Sequence, residues 1–198
     1  MRPPIGKITQ SGQNMNYTEA WQREEHAEQF GKAIGLNNAV SLLSGLRPKI
    51  EARCLKYVVK LAGGTRASLL DIGCGAGDFY AYLRSLPGFG EVKYEGVNIS
   101  RPAIEAANRY YKTGVFTMMN GDEDLRGKHA DVVLSVDVIL HQVHLFAHLQ
   151  QILQRSDKVL VVALRARDVG ETILDPELSC QRNYGEWVPW IVVNTSES

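Results

Sequence analysis

The apolar run Ser68-Leu69-Leu70-Asp71-Ile72 leads directly into Gly73-Cys74-Gly75-Ala76-Gly77, and Phe79, Tyr80, Tyr82, Leu83 and Leu86 then recur at helical spacing. A strand, a tight glycine turn and a helix in immediate succession leave few folds open. This is the arrangement in which a nucleotide-like ligand meets a helix N-terminus at the carboxyl end of a parallel strand. Glycine supplies positive φ there and removes the Cβ that would hold a ligand away.

The remainder of the chain supplies more strands and helices in alternation. Val92–Ile99, Gly114–Met119, Ala130–Val136 and Lys158–Leu164 read as strands, Ala130–Val136 being the nearly continuous apolar run ADVVLSV expected of a buried parallel strand. Ser100-Arg101-Pro102 opens a helix through Ile104, Ala107 and Tyr111, and Leu145, Phe146, Leu149, Ile152 and Leu153 form the apolar face of another. Five alternations of strand and helix predict an α/β fold, a doubly wound, mostly parallel sheet with right-handed crossovers. At 198 residues there is room for one such domain. It is expected over 65–198, with 1–64 as a polar arm and helices packed on it. One helix is expected from Asn16 through Trp21, Ala27 and Phe30 to Gly35, as a surface element or a lid. A second runs over Asn37–Leu46, and a third starts at Pro48 and stops at Gly63-Gly64.

Composition removes several classes of function. Lys and Arg balance Asp and Glu to a net charge of zero, so there is no global basic footprint for nucleic acid or an anionic membrane. The sequence shows no apolar span of membrane length and no N-terminal signal core. Cys54, Cys74 and Cys180 are an odd, scattered set that suits a reducing cytoplasm better than a disulfide framework. No Cys or carboxylate accompanies His141, His144 and His148 at metal-site spacing, so no metal is expected.

Glycine spacing selects the ligand. A dinucleotide fingerprint needs G-x-G-x-x-G or A; counting from Gly73 puts Asp78 in the last slot, and counting from Gly75 puts Tyr80 there. An NAD-dependent oxidoreductase is therefore disfavoured. The run Leu69–Gly77, with an apolar pair, an acid, an apolar residue and G-x-G-x-G, resembles the first motif of the class I, Rossmann-like S-adenosylmethionine (SAM) methyltransferases. The resemblance covers roughly Leu69–Leu164. It implies SAM as cofactor and S-adenosylhomocysteine (SAH) as product, with the Gly73–Gly77 backbone near the methionine part.

The same resemblance assigns the other strand ends. Asn98, followed by Ile99, stands where the family commonly has an acid for the ribose hydroxyls. An amide can still accept one hydrogen bond and donate another, but without the charge-assisted bond. Asp122 matches the acid that receives the adenine amino group, with a neighbouring backbone N–H, that of Glu123, for the ring; an Asx turn is the alternative use of Asn120-Gly121-Asp122. Asp71 is implied as a hydrogen-bond organiser of the glycine loop. The cofactor set is thus Asp71, Gly73, Cys74, Gly75, Gly77, Asn98, Ile99, Asp122, Glu123 and Ser135. Ser135–His141 lacks the prolines of enzymes that methylate base amines and is more similar to a segment of small-molecule and glycan-modifying methyltransferases. Arg182–Val188 is loosely similar to the C-terminal part of some of those. Asp137 and His141 are the catalytic candidates, the imidazole having an ordinary pKa suited to a general base; the competing reading of His141 is a cap on the following helix. His144 and His148 are expected in solvent.

The expected function is methyl transfer to a small-molecule or sugar-like acceptor, with Arg165, Arg167, Tyr184 and Trp187 on the acceptor side. A cofactor-binding protein without turnover and a protein or RNA methyltransferase are the alternatives. The family's sheet closes with two more strands, the last antiparallel. Only Trp190–Asn194 offers such a strand here, so a shortened sheet or a truncated chain is expected.

Overall fold

The computed structural model describes residues 17–23, 57–163, 166–167, 171–173, 180–183, 186–189 and 193–194. The expected arm at the N-terminus, the helix over 37–46 and Arg165 and Tyr184 lie outside the described residues. So does all but the 57–62 stretch of the helix expected to start at Pro48.

Strands β1 (Ser68–Ile72), β2 (Lys93–Asn98), β3 (Phe116–Met118), β4 (Ala130–Val136) and β5 (Ser156–Ala163) form one sheet in the order β3-β2-β1-β4-β5. All four pairings are parallel, with Leu69 opposite Tyr94 on one side and Val132 on the other. The order reverses between β1 and β4, the switch point at which a crevice opens beyond the carboxyl ends of the strands. Successive side chains of β1 serve opposite faces. Leu69 joins Val59, Leu83, Ile104 and Phe116 in one core cluster, while Leu70 and Ile72 join Val97, Leu125, Val133 and Ile152 in the other. The doubly wound fold read from the alternation is the fold observed.

Helix α1 (Tyr17–Ala20) precedes the sheet, and a helical stretch over 57–62 leads to β1. Helices α2 (Asp78–Ser85) and α3 (Arg101–Tyr111) bring Leu83, Ile104 and Ala107 to the first cluster. Ser100 caps α3 by accepting from the Ala103 N–H at 3.4 Å, with Pro102 in the first turn as the sequence predicted. Helix α4 (Leu145–Leu153) covers the second cluster.

Two expectations change. Helix α1 ends at Ala20 and the chain turns at Trp21-Gln22 instead of continuing as a helix through Trp21. The cause is capture of this turn by the loop after β2: Ser100 Oγ donates to the Trp21 carbonyl at 2.6 Å and the Gln22 amide donates to the Ile99 carbonyl at 2.5 Å. Between β3 and β4 the turn expected at Asn120-Gly121-Asp122 continues as the 3-10 turn Asp122–Leu125, anchored by the buried Leu125. Beyond β5, Cys180–Asn183 (β7) and Glu186–Pro189 (β8) pair antiparallel as a hairpin that the irregular order of Cys180, Tyr184 and Trp187 concealed. Ala166–Arg167 (β6) pairs in parallel with Val193–Asn194 (β9), the described part of the strand expected at Trp190–Asn194. Among the described residues no helix is long and apolar enough to cross a membrane.

Candidate functional site

The glycine turn is pinned before any ligand is considered. The N–H groups of Gly73 and Cys74 both donate to the Val97 carbonyl, at 2.8 and 3.1 Å, tying the turn to the end of β2. Gly73, Gly75 and Gly77 have φ of +79°, +56° and +89°. A Cβ on Gly73 would lie 2.1 Å from Val138, and one on Gly77 would lie 2.7 Å from Phe116 and 2.8 Å from Tyr111. The first and third glycines therefore serve the protein's own packing, against the loop after β4 and against β3 with α3. Gly75, between them, is half-buried.

Asp71 lies beneath the turn. It is 1% exposed, and its Oδ2 accepts from Tyr94 Oη at 2.7 Å. Burial is the main force pushing its carboxyl up to about 7; Asp78 adds to that and the Tyr94 hydrogen bond opposes it. Tyr94 belongs to an aromatic cluster with Tyr80, Tyr111 and Phe116, ring centroids of the packed pairs being 5.1 to 5.8 Å apart. Burial, with Asp71 beside it, also pushes the Cys74 thiol well above its ordinary range, which makes it a core thiol and a poor nucleophile.

At the end of β2, Asn98 Oδ1 accepts from the Ser100 N–H at 2.8 Å. That bond orients the amide, since only the oxygen can accept. Ile99 follows, its carbonyl taken by Gln22, whose own side-chain oxygen accepts from the Arg101 N–H at 3.2 Å. After β3, Asp122 begins the 3-10 turn, and the Glu123 carboxylate folds back over Gly121, where a Cβ would meet it at 2.5 Å. At the end of β4, Ser135 is fully buried and its Oγ has no hydrogen-bond partner among the described residues. Asp137 has φ +56°, a left-handed conformation uncommon for a residue with a Cβ, while its N–H donates to the Ala163 carbonyl at 3.0 Å. His141 closes the 3-10 turn Ile139–His141, half-buried, with Trp21 edge-on at 5.1 Å.

Two contributors go beyond the sequence reading. Trp21 and Gln22, in the segment expected as a surface element or a lid, join the end of β2 to the turn after β4. His148, expected in solvent, is 3% exposed, with Nδ1 at 3.0 and 2.9 Å from the two oxygens of Asp122. Here the signal was available: position 148 falls in the helical stripe of Leu145, Leu149 and Ile152. His144 is exposed, as expected. Among the described residues no group of three or more His, Cys, Asp and Glu stands together as a metal site.

The turn, Asn98, Asp122 and Asp137 thus share the carboxyl edge of one parallel sheet, around its switch point. Comparison with known proteins agrees with that architecture. No curated protein matches the chain in sequence. The plantazolicin methyltransferase BpumL, solved in complex with SAH, is 18% identical, with a TM-score of 0.50 over 75% of this chain and 57% of that one. Magnesium protoporphyrin IX methyltransferase from Synechocystis PCC 6803, solved with bound SAM, is 15% identical over 89% of both chains, with a TM-score of 0.47. The PH0226 protein from Pyrococcus horikoshii OT3 is 20% identical, covers 73% of this chain and 76% of that one, and has a TM-score of 0.47. The chain spans less than two-thirds of the length of BpumL in two of its structures, 57% and 62%. A family model described as a methyltransferase domain matches residues 46–195, a span that takes in the glycine turn and every strand end described above. The chain belongs to this methyltransferase-domain family, with the fold of its class I members.

Proposed function

We propose that this chain binds S-adenosylmethionine across the switch point of its sheet and transfers the methyl group to a small-molecule or sugar-like acceptor. The observation that carries the reading is the convergence of the glycine turn, Asn98 and Asp122 on one sheet edge. The residues fit such a ligand: Gly75 presents backbone with no Cβ, the Asn98 amide has its carbonyl turned inward, and the Asp122 carboxylate is partly exposed, at 34%. The Gly73–Gly77 backbone would hold the methionine part, Asn98 and Ile99 the ribose, and Asp122 with the Glu123 N–H the adenine.

When bound, the cofactor supplies an electrophilic methyl group on a sulfonium. The chain's own contribution to an in-line displacement is positioning and exclusion of water. The Trp21-Gln22 turn closes over the ends of β2 and β4, and α1 lies beside β8, which in turn approaches Ile139–His141. An acceptor entering there would meet His141, the group placed to take a proton from a hydroxyl or an ammonium. Asp137, in its left-handed conformation, shapes the same loop. The scattered cysteines suit a cytoplasmic setting, and the neutral net charge favours a small acceptor over nucleic acid.

Isothermal titration calorimetry with SAM and SAH tests this reading. Binding of both is expected, and a folded protein that binds neither at millimolar concentration would overturn it. Asn98, which replaces an acid, favours a second reading, a cofactor-binding protein without turnover. Tight SAH binding with no methyl transfer to any of a broad panel of hydroxyl and amine acceptors would select that second reading.

A further inference from the structure

We propose that His148 is a positioning residue: it fixes the Asp122 carboxylate so that Asp122 selects a 6-amino over a 6-oxo purine ring. The inference rests on the assignment of Asp122 to the adenine. His148 Nδ1 stands nearly equidistant from both carboxylate oxygens, at 3.0 and 2.9 Å, and the imidazole is buried. A carboxylate only accepts, so Nδ1 carries the hydrogen, and the opposite nitrogen, Nε2, is buried without a hydrogen-bond partner among the described residues. Among the described residues the ring's polar contact is with Asp122.

The placement is structural on both sides. His148 is anchored by the α4 stripe of Leu145, Leu149 and Ile152, and Asp122 by Leu125 of its own 3-10 turn; all four apolar residues pack in the second core cluster. A carboxylate on a short turn would otherwise rotate about its Cβ. One N–H shared between both oxygens fixes the carboxylate plane, and each oxygen keeps a second lone pair, directed away from the imidazole, for a ligand. Those lone pairs accept from a ring amine and repel a ring carbonyl oxygen, so the orientation becomes specificity.

The test compares the Kd of SAH with that of S-inosylhomocysteine, its 6-oxo counterpart, in the wild type and in His148→Leu, His148→Asn and His148→Gln. Thermal melting verifies folding. The wild type should prefer SAH, and His148→Leu should lose about tenfold of that ratio by weakening SAH binding. Asparagine carries its N–H where histidine carries Nδ1, so His148→Asn should restore the ratio; His148→Gln, with its N–H one atom further out, should not. A merely structural histidine would weaken both ligands alike and leave the ratio unchanged, which overturns the proposal. Where His148→Leu does not fold, the asparagine and glutamine variants carry the test, and equal ratios in these two overturn it. SAH binding without any preference in the wild type overturns this inference alone, whereas absence of SAH binding overturns the functional reading beneath it.

Discussion

Asp71 is a buried acid hydrogen-bonded to Tyr94, one ring of an aromatic cluster, and its cost depends on pH. A carboxyl raised from 3.8 to about 7 holds its proton in the folded chain where the unfolded chain has already released it. The folded state therefore binds more protons between those two values, and by linkage stability falls as pH rises through that window and levels off above it. At ~1.4 kcal/mol per pH unit the loss attributable to this one group is at most about 4 kcal/mol. Asp71→Asn keeps the shape and still accepts from Tyr94 Oη, but has no charge to bury. Urea unfolding at pH 5 and pH 8 should show the wild type losing more stability across the interval than the variant, with Asp71→Asn the more stable of the two at pH 8. Equal losses in both proteins would contradict the assignment. The residue was legible in the sequence as an interior acid beside a glycine turn. Its partner was not, because Tyr94 is a neighbour only through the β1–β2 register.

At the scale of elements, three glycines of one turn have separate tasks. Gly77 opens α2 in a left-handed conformation and lies where Phe116 of β3 and Tyr111 of α3 converge, with Tyr111 Oη donating to its carbonyl at 3.2 Å. Alanine there meets rings of the aromatic cluster as well as an unfavourable φ, so Gly77→Ala should cost roughly 2–4 kcal/mol of stability. Gly75→Ala faces the φ penalty, roughly 1–2 kcal/mol, and its main effect should be on SAH affinity. Chemical denaturation together with SAH titration of the two variants checks this division, and the opposite pattern would refute it. The elements that the sequence disclosed are those with strong local patterning: β1 to β5 and α2 to α4. The β7–β8 hairpin was missed because an antiparallel pair of four-residue strands has no apolar alternation to announce it. His148 was misplaced for a related reason: a polar residue on an apolar stripe is buried only when a partner such as Asp122 waits for it, and that partner belongs to another element.

At the scale of the whole molecule, the glycine turn marks where the proposed cofactor would meet the sheet, and the N-terminal turn lies against that same edge. Residues 17–23 are remote in sequence from the sheet, yet Gln22 reaches both the Ile99 carbonyl and the Arg101 N–H, and Trp21 touches His141. The contact joins the end of β2 to the turn after β4, the sides on which the proposed cofactor ribose and acceptor would lie. Gln22→Ala removes two hydrogen bonds while leaving the Ser100–Trp21 bond, which uses a backbone carbonyl, in place. At about 0.5–1.5 kcal/mol net for each bond, the turn should loosen by roughly 1–3 kcal/mol. That energy acts on opening of the cover, so the effect belongs to the rate at which a ligand leaves more than to the rate at which it arrives. Stopped-flow displacement of SAH should show dissociation faster by about fivefold or more in Gln22→Ala, with association nearly unchanged and only a small fall in melting temperature. Unchanged dissociation would mean that the turn is a surface attachment and that the crevice is closed from elsewhere.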